Sequence, residues 1–189
     1  MPNYFEGESF NNITYEHGGL NFQEFEGCVF SACDFGNCTF LAVTFIDCTF
    51  NNCGFVGANI NYVAFRTVYF NGCNLAGVNF AMCDRLIFEV GFTSCNLDRS
   101  KFYSLNLKGT SFINCSMVAA DLMSADLTEA VFNGCDLHRA VFDKTITVKG
   151  DFSQAFNYVL DPERNTIKGA LFSIAGVHGL LNRHQLIIE

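Results

Sequence analysis

The stretch FEGCVFSACDFGNCTFLAVTFIDCTFNNCGF, residues 25–55, places a phenylalanine at every fifth position: Phe25, Phe30, Phe35, Phe40, Phe45, Phe50 and Phe55. The spacing runs back through Leu20, Tyr15 and Phe10 to Phe5, and forward through Ile60, Phe65, Phe70 and Leu75 to Phe80. A slip of two residues follows across residues 81–86, where Asp84 and Arg85 stand. The spacing resumes at Ile87 and Phe92 and continues to Leu137 and Phe142; Thr147 interrupts it and Phe152 rejoins it. Two residues before each centre the chain carries a small or β-branched residue, such as Cys28, Cys33, Cys38, Val43, Cys48, Ala120, Ala125 and Ala130.

A period of five is neither the 3.6 of a helix nor the 2 of a strand. On a helix, successive fifth residues would circle the cylinder and expose most of the rings. One large and one small inward residue per five, with polar residues between, is the pattern of a solenoid, where each unit buries its apolar side against its neighbours. Segments such as ADLMSADLTE (residues 120–129) and GCDLH (residues 134–138) resemble the A-[D/N]-[L/F]-x-x motif of the pentapeptide repeat family. The resemblance covers about residues 5–152. It implies an all-β solenoid, a right-handed quadrilateral β-helix with four pentapeptides, one per face, in each coil. The expected organisation is a repeat domain over residues 1–172, with a bulge at 81–86 and an irregular last coil over 143–172, then a cap over 173–189. In the cap, Ser173 reads as the N-cap of a short helix with Ile174, Val177, Leu180 and Leu181 on one face. Phe172 before it, and Leu186 and Ile188 after it, extend the apolar surface.

All ten cysteines fall at the small inward position. Cys33, Cys53 and Cys73 are twenty residues apart, as are Cys95, Cys115 and Cys135, so each set forms a ladder up one inner wall. Coils stacked about 4.8 Å apart would bring these residues near one another, but parallel Cβ vectors are the wrong geometry for a disulfide. Thiolates spread along a wall do not converge on a metal ion. Ten free thiols, acting as small buried hydrophobes in a reducing compartment, are expected, with no metal and no cofactor.

Nineteen acids against eleven Lys and Arg give a net charge of −8, which argues against nucleic acid as a direct partner. Seven of the acids precede Arg66, the first Lys or Arg in the chain. With four pentapeptides per coil, one face collects Glu6, Glu24, Glu26, Asp47, Glu89, Asp126 and Glu129, with Arg66 and Lys108 as its only Lys or Arg residues. The Tyr15 face holds Glu16, Asp34, Asp98 and Asp136 against Arg99 and Arg139. A run of carboxylates along one face suits a basic groove that otherwise holds DNA. Solubility and the hydrogen-bonding of coil turns by Asp are the competing uses of the same charges.

Two further segments resemble particular members of the family: SKFYSLNLKGTSFINC (residues 100–115) is similar to the middle of the albicidin-resistance group, and DFSQAFNYVLDPERNTIKGALFSIAG (residues 151–176) to the C-terminal segments of the Qnr-type and albicidin-resistance groups. That resemblance implies a homodimer joined through the C-terminal segment and an acidic rod that mimics duplex DNA. It also implies DNA gyrase or topoisomerase IV as partner, protected from quinolones or peptide poisons. The long projecting loops of plasmid-borne Qnr proteins are missing; only the bulge is present. The alternative is a non-enzymatic protein-interaction scaffold with the same fold. No G-x-S-x-G, Walker A, G-x-G-x-x-G or H-E-x-x-H motif occurs, so an enzyme is not expected. No apolar run is long enough to span a membrane and the N-terminus has no secretory pattern, so a cytoplasmic protein is expected.

Overall fold

A chain that sends one large side chain inward in every five residues must bend at every corner. The backbone does so through residues of positive φ at five-residue intervals, among them Ala32 (52°), Asn37 (60°), Ala42 (51°), Asp47 (52°) and Asn52 (54°). Glycine takes the same conformation at Gly7, Gly27 and Gly72, where a side chain would carry a steric cost. The computed structural model describes residues 3–186, so Ile188 lies outside the described residues.

The corners wind the chain into a parallel β-solenoid of about eight turns with, among the described residues, a single short C-terminal α-helix. The first coil contributes β1 (Asn3–Glu6) and β2 (Ser9–Asn11), and the second β3 (Gln23–Glu26) and β4 (Val29–Ser31). The third contributes β5 (Thr44–Ile46) and β6 (Thr49–Asn51), and the fourth β7 (Ala64–Arg66) and β8 (Val68–Asn71). Later coils carry β9 (Val90–Thr93), β10 (Ser111–Ile113), β11 (Val131–Asn133), β12 (Asp151–Phe152) and β13 (Leu171–Phe172). Strands β1, β3, β5 and β7 form a four-stranded sheet, and the other nine form a second sheet along the rod. Pairing is in register at twenty residues per coil, as in Phe5↔Phe25 and Phe30↔Phe50.

That register stacks like on like. From Phe10 through Phe30, Phe50, Phe70, Phe92, Phe112, Phe132 and Phe152 to Phe172, successive rings lie nearly parallel with centroids 4.7–5.4 Å apart. Rings from adjacent faces meet edge-on, as Phe45 and Phe50 do at 5.1 Å. Both geometries are favoured by the aromatic quadrupole, beyond the area they bury.

All ten cysteines are buried and unpaired. Except at Cys115, their thiols also have a polar task, donating to a main-chain carbonyl of the preceding coil: Cys28 to Phe5 (3.5 Å), Cys48 to Phe25 (3.3 Å), Cys135 to Phe112 (3.2 Å). Where the wall changes residue type, the hydroxyls of Ser100 and Thr145 make the same bond to Leu75 (2.8 Å) and Leu122 (3.1 Å). Burial pushes the Cys48 thiol up to about 12.

Three expectations are corrected. Ile87 does not resume the inward ladder: it is exposed, and Phe88 turns in beside Phe65 and Phe80 at 6.4 and 6.3 Å. The slip is absorbed between β8 and β9, whose partners are 22 residues apart (Phe70↔Phe92). The outward loop is held by Asp84 Oδ1, which accepts from the Leu86 amide (2.8 Å), and by Arg85, which donates to the Ala81 carbonyl (2.7 Å). This brings residue 88, not 87, over the core. Second, Thr147 does not break the register; it is fully buried at the large inward position, and its hydroxyl donates to the Thr166 carbonyl (3.3 Å). Third, Ser173 caps a turn by accepting from the Gly176 amide (3.0 Å), but the helix α1 is confined to His178–Leu181. Gly176 and Gly179 lie against Tyr158 more closely than any side chain would allow. Ile174, expected on the packed face, is 94 % exposed, whereas Leu180 does rest on the core.

Candidate protein-binding face

The acids of this chain separate into two groups by what their carboxylates touch. In the first group an Asp just before an inward centre folds back on its own turn. Asp34 accepts from the Gly36 amide (2.8 Å), Asp121 from Met123 (3.1 Å), Asp136 from His138 (3.0 Å) and Asp151 from Ser153 (2.9 Å). Asp98 reaches the next coil instead, accepting from the Ser116 hydroxyl (2.6 Å) and the Val118 amide (2.9 Å). These are Asx-type bonds that satisfy corner amides, and they account for most of the acids on the Tyr15 face.

The second group lies on the opposite face, the one built on Phe5, Phe25 and Phe45. Glu6 ends β1, and Glu24 and Glu26 lie on β3, in register with Tyr4 and Glu6 of the coil below. Asp47 occupies the corner after β5, and Glu89 precedes β9. Among the described residues, none of these five carboxylates is within ion-pair distance of a cation. Arg66, the one Lys or Arg on this side of the bulge, is half-buried and likewise unpaired among the described residues. Glu26 accepts from the Tyr4 hydroxyl (2.7 Å), which holds the phenol up at about 12 through that bond and the neighbouring carboxylates. Glu89 accepts a longer bond from the Thr67 hydroxyl (3.4 Å).

The remaining two predicted members of the face stand apart. Asp126 accepts from the Thr128 hydroxyl (2.6 Å) and amide (3.1 Å) and pairs with Lys108 (3.2 Å). Burial alone would raise its carboxyl, but those donors outweigh it and hold the group below the usual range. Glu129 pairs with Lys149 (3.0 Å). Further along, Arg164 pairs with Asp143, and Arg183 with Asp161 and Glu163. The unneutralised part of the face is therefore its N-terminal half. Sequence sorting brought all seven together, but could not see that two of them are already compensated.

Of the other predicted residues, Asp84 and Arg85 brace the bulge, as described. Phe172 stacks on Phe152 (5.4 Å). Leu181 is half-buried, while Val177 and Leu186 are exposed together with Leu171 and Ile174, an apolar group at the C-terminal end that sequence reading located without Leu171. No group of His, Cys, Asp and Glu among the described residues is arranged to hold a metal, and no described helix is long and apolar enough to cross a membrane.

Two descriptions of pentapeptide repeats match the chain: "Pentapeptide repeats (9 copies)" over residues 25–68 and "Pentapeptide repeat region" over residues 86–155. Among solved structures, a trypsin-treated point variant of QnrB1, described as a plasmid-mediated fluoroquinolone resistance protein, is similar over 100 % of both chains, at TM-score 0.79 and 15 % identity. Full-length QnrB1 is similar over 97 % of this chain and 100 % of its own, at TM-score 0.54 and 15 % identity. HetL of Nostoc sp. strain PCC 7120, described as involved in heterocyst differentiation regulation, is similar over 91 % of this chain and 86 % of its own, at TM-score 0.64 and 12 % identity. No curated protein matches the sequence significantly.

Proposed function

This chain belongs to the pentapeptide repeat family, and from that premise we propose that it is a DNA-mimicking protein that binds DNA gyrase or topoisomerase IV and protects it from quinolones or peptide poisons. The observation that carries the reading is the unpaired acidic ladder of Glu6, Glu24, Glu26, Asp47 and Glu89. Like charges at partnered strand positions destabilise a sheet, and Glu6 and Glu26 are such partners. A turn-forming role explains Asp34, Asp121 and Asp136; it does not explain carboxylates that contact no corner amide. Held on a rigid rod, they present fixed negative charge to a basic groove, where complementarity sets encounter rate and register.

The apolar group Leu171, Ile174, Val177 and Leu186 is assigned to a two-fold contact with a second copy, giving a longer rod with an acidic half at each end. The protein acts by binding and without catalysis, in the cytoplasm. The second reading, a scaffold for some other protein, is favoured by the likeness of the fold to HetL as well as to QnrB1. A supercoiling assay separates the two. The mimic should inhibit gyrase when in excess and rescue it from a quinolone at lower dose. No effect on either gyrase or topoisomerase IV would reject the mimic and leave the scaffold.

A further inference from the structure

The corner that borders the acidic face carries a second feature. Phe22, Leu41, Tyr62, Met82, Tyr103 and Met123 come from six successive coils and occupy this one corner. Main-chain bonds link Phe22 to Leu41 (2.8 Å) and Tyr62 to Met82 (2.8 Å), and the Tyr103 hydroxyl reaches the Met82 sulfur (3.8 Å). Phe22 is 57 % and Tyr62 74 % exposed, and Leu41, Met82 and Met123 are exposed with them. The backbone there is also costly. Phe22 (φ 58°) and Tyr62 (φ 62°) are the only aromatic residues in the left-handed conformation among the described residues; elsewhere Asn, Asp, Ala, Ser or Gly predominate. A bulky side chain in that conformation is an outlier, and here both rings stay more than half exposed. Two strained, uncovered rings on one corner mark a surface that becomes covered by something else.

We propose that this corner is a docking ridge for a protein partner whose contact surface sets an apolar groove beside Lys and Arg residues. The charge next to the ridge selects that occupant. Glu24 and Glu26, which no cation among the described residues pairs, lie on the face that begins where the corner ends, and Asp47 stands at its far edge. A second copy of the chain would bring the same carboxylates against one another, and an anionic lipid surface or a nucleic acid would be repelled. A basic protein surface gains from both features: cation–carboxylate pairs on the face, and burial of two large rings at the corner, the residue types that dominate binding energy. The inference rests on the acidic face being a protein-binding surface and adds the apolar half of that surface.

The test uses Phe22→Asn with Tyr62→Asn, because Asn occupies equivalent corner positions at Asn37 and Asn52 and should relieve strain, not add it. The full chain and this double variant are titrated against two probes, a synthetic Lys/Leu amphipathic peptide and an oligolysine of equal charge, and against DNA gyrase. The intact protein should bind the Lys/Leu peptide more tightly than oligolysine. The variant should lose about tenfold for the peptide, keep its affinity for oligolysine and melt no lower than the parent. Equal peptide binding by parent and variant would overturn the ridge, as would a peptide no better than oligolysine. A fall in oligomeric state of the variant would assign the corner to a second copy and also overturn it. Absence of gyrase binding by the parent rejects the proposed function alone, since the peptide arm judges the ridge independently.

Discussion

Replacing Phe50 with alanine tests how the rod is held together. Phe50 has no solvent exposure. Its ring stacks on Phe30 (4.8 Å) and Phe70 (5.1 Å), and meets Phe45 (5.1 Å) and Phe55 (5.4 Å) edge-on. The neighbouring coils are locked in register by β4–β6 and β6–β8 pairing, so they cannot close over the vacated space. The cost should therefore fall in the upper part of the range for a buried phenylalanine, about 4–5 kcal/mol. Phe10 provides the contrast. It lies in the first coil, stacks on one side only, on Phe30 (4.8 Å), and is partly exposed. Phe10→Ala should cost about 2 kcal/mol by the same reasoning, because one face of its ring has no stacking partner to give up. Urea unfolding followed by far-ultraviolet circular dichroism measures both. Thiol labelling adds a local readout: Cys73 donates to the Phe50 carbonyl (3.3 Å), so it should label faster in Phe50→Ala while Cys135, several coils away, changes less. A Phe50→Ala cost no larger than that of Phe10→Ala would refute the ring ladder as the main source of stability.

Three further outcomes follow from individual side chains. Glu6→Gln removes one of two like charges at partnered strand positions, so stability in urea should rise by about 0.2–1 kcal/mol; a fall would mean the carboxylate has a structural donor. Glu26→Gln should bring the Tyr4 phenol down from about 12 toward its ordinary value, read by phenolate absorbance against Tyr4→Phe. Because the folded-state value is the raised one, the Tyr4–Glu26 bond stabilises the fold below the ordinary tyrosine range and is lost as pH climbs through about 12; an unshifted titration would show that the bond does not form in solution. Ile174→Glu should convert the proposed dimer to a monomer in sedimentation without lowering the melting temperature, whereas Leu180→Glu, which sits on the core, should lower it. A parent that sediments as a monomer would remove the dimer.

The period of five, its paired small positions and the ten inward cysteines were legible in the amino-acid order. Each states only which side chains leave water, and a strict repeat leaves one way to bury them all. The acidic face was legible as a grouping for the same reason, since face membership follows from counting residues around a coil. What the linear order could not decide depends on partners a coil away. Asp126 is neutralised by a lysine 18 residues before it, and Glu129 by one 20 residues after it, while Glu24 and Asp47 meet no such cation among the described residues. At the bulge the choice of Phe88 over Ile87 is made by the space beside Phe65 and Phe80, and at the C-terminal end Tyr158 leaves room only for glycine at positions 176 and 179. The strain at Phe22 and Tyr62 exists only once the corner is turned. Short-range repetition specifies the path of the chain; charge pairing, ring packing at irregular points and backbone strain arise between segments that only the wound coil brings together.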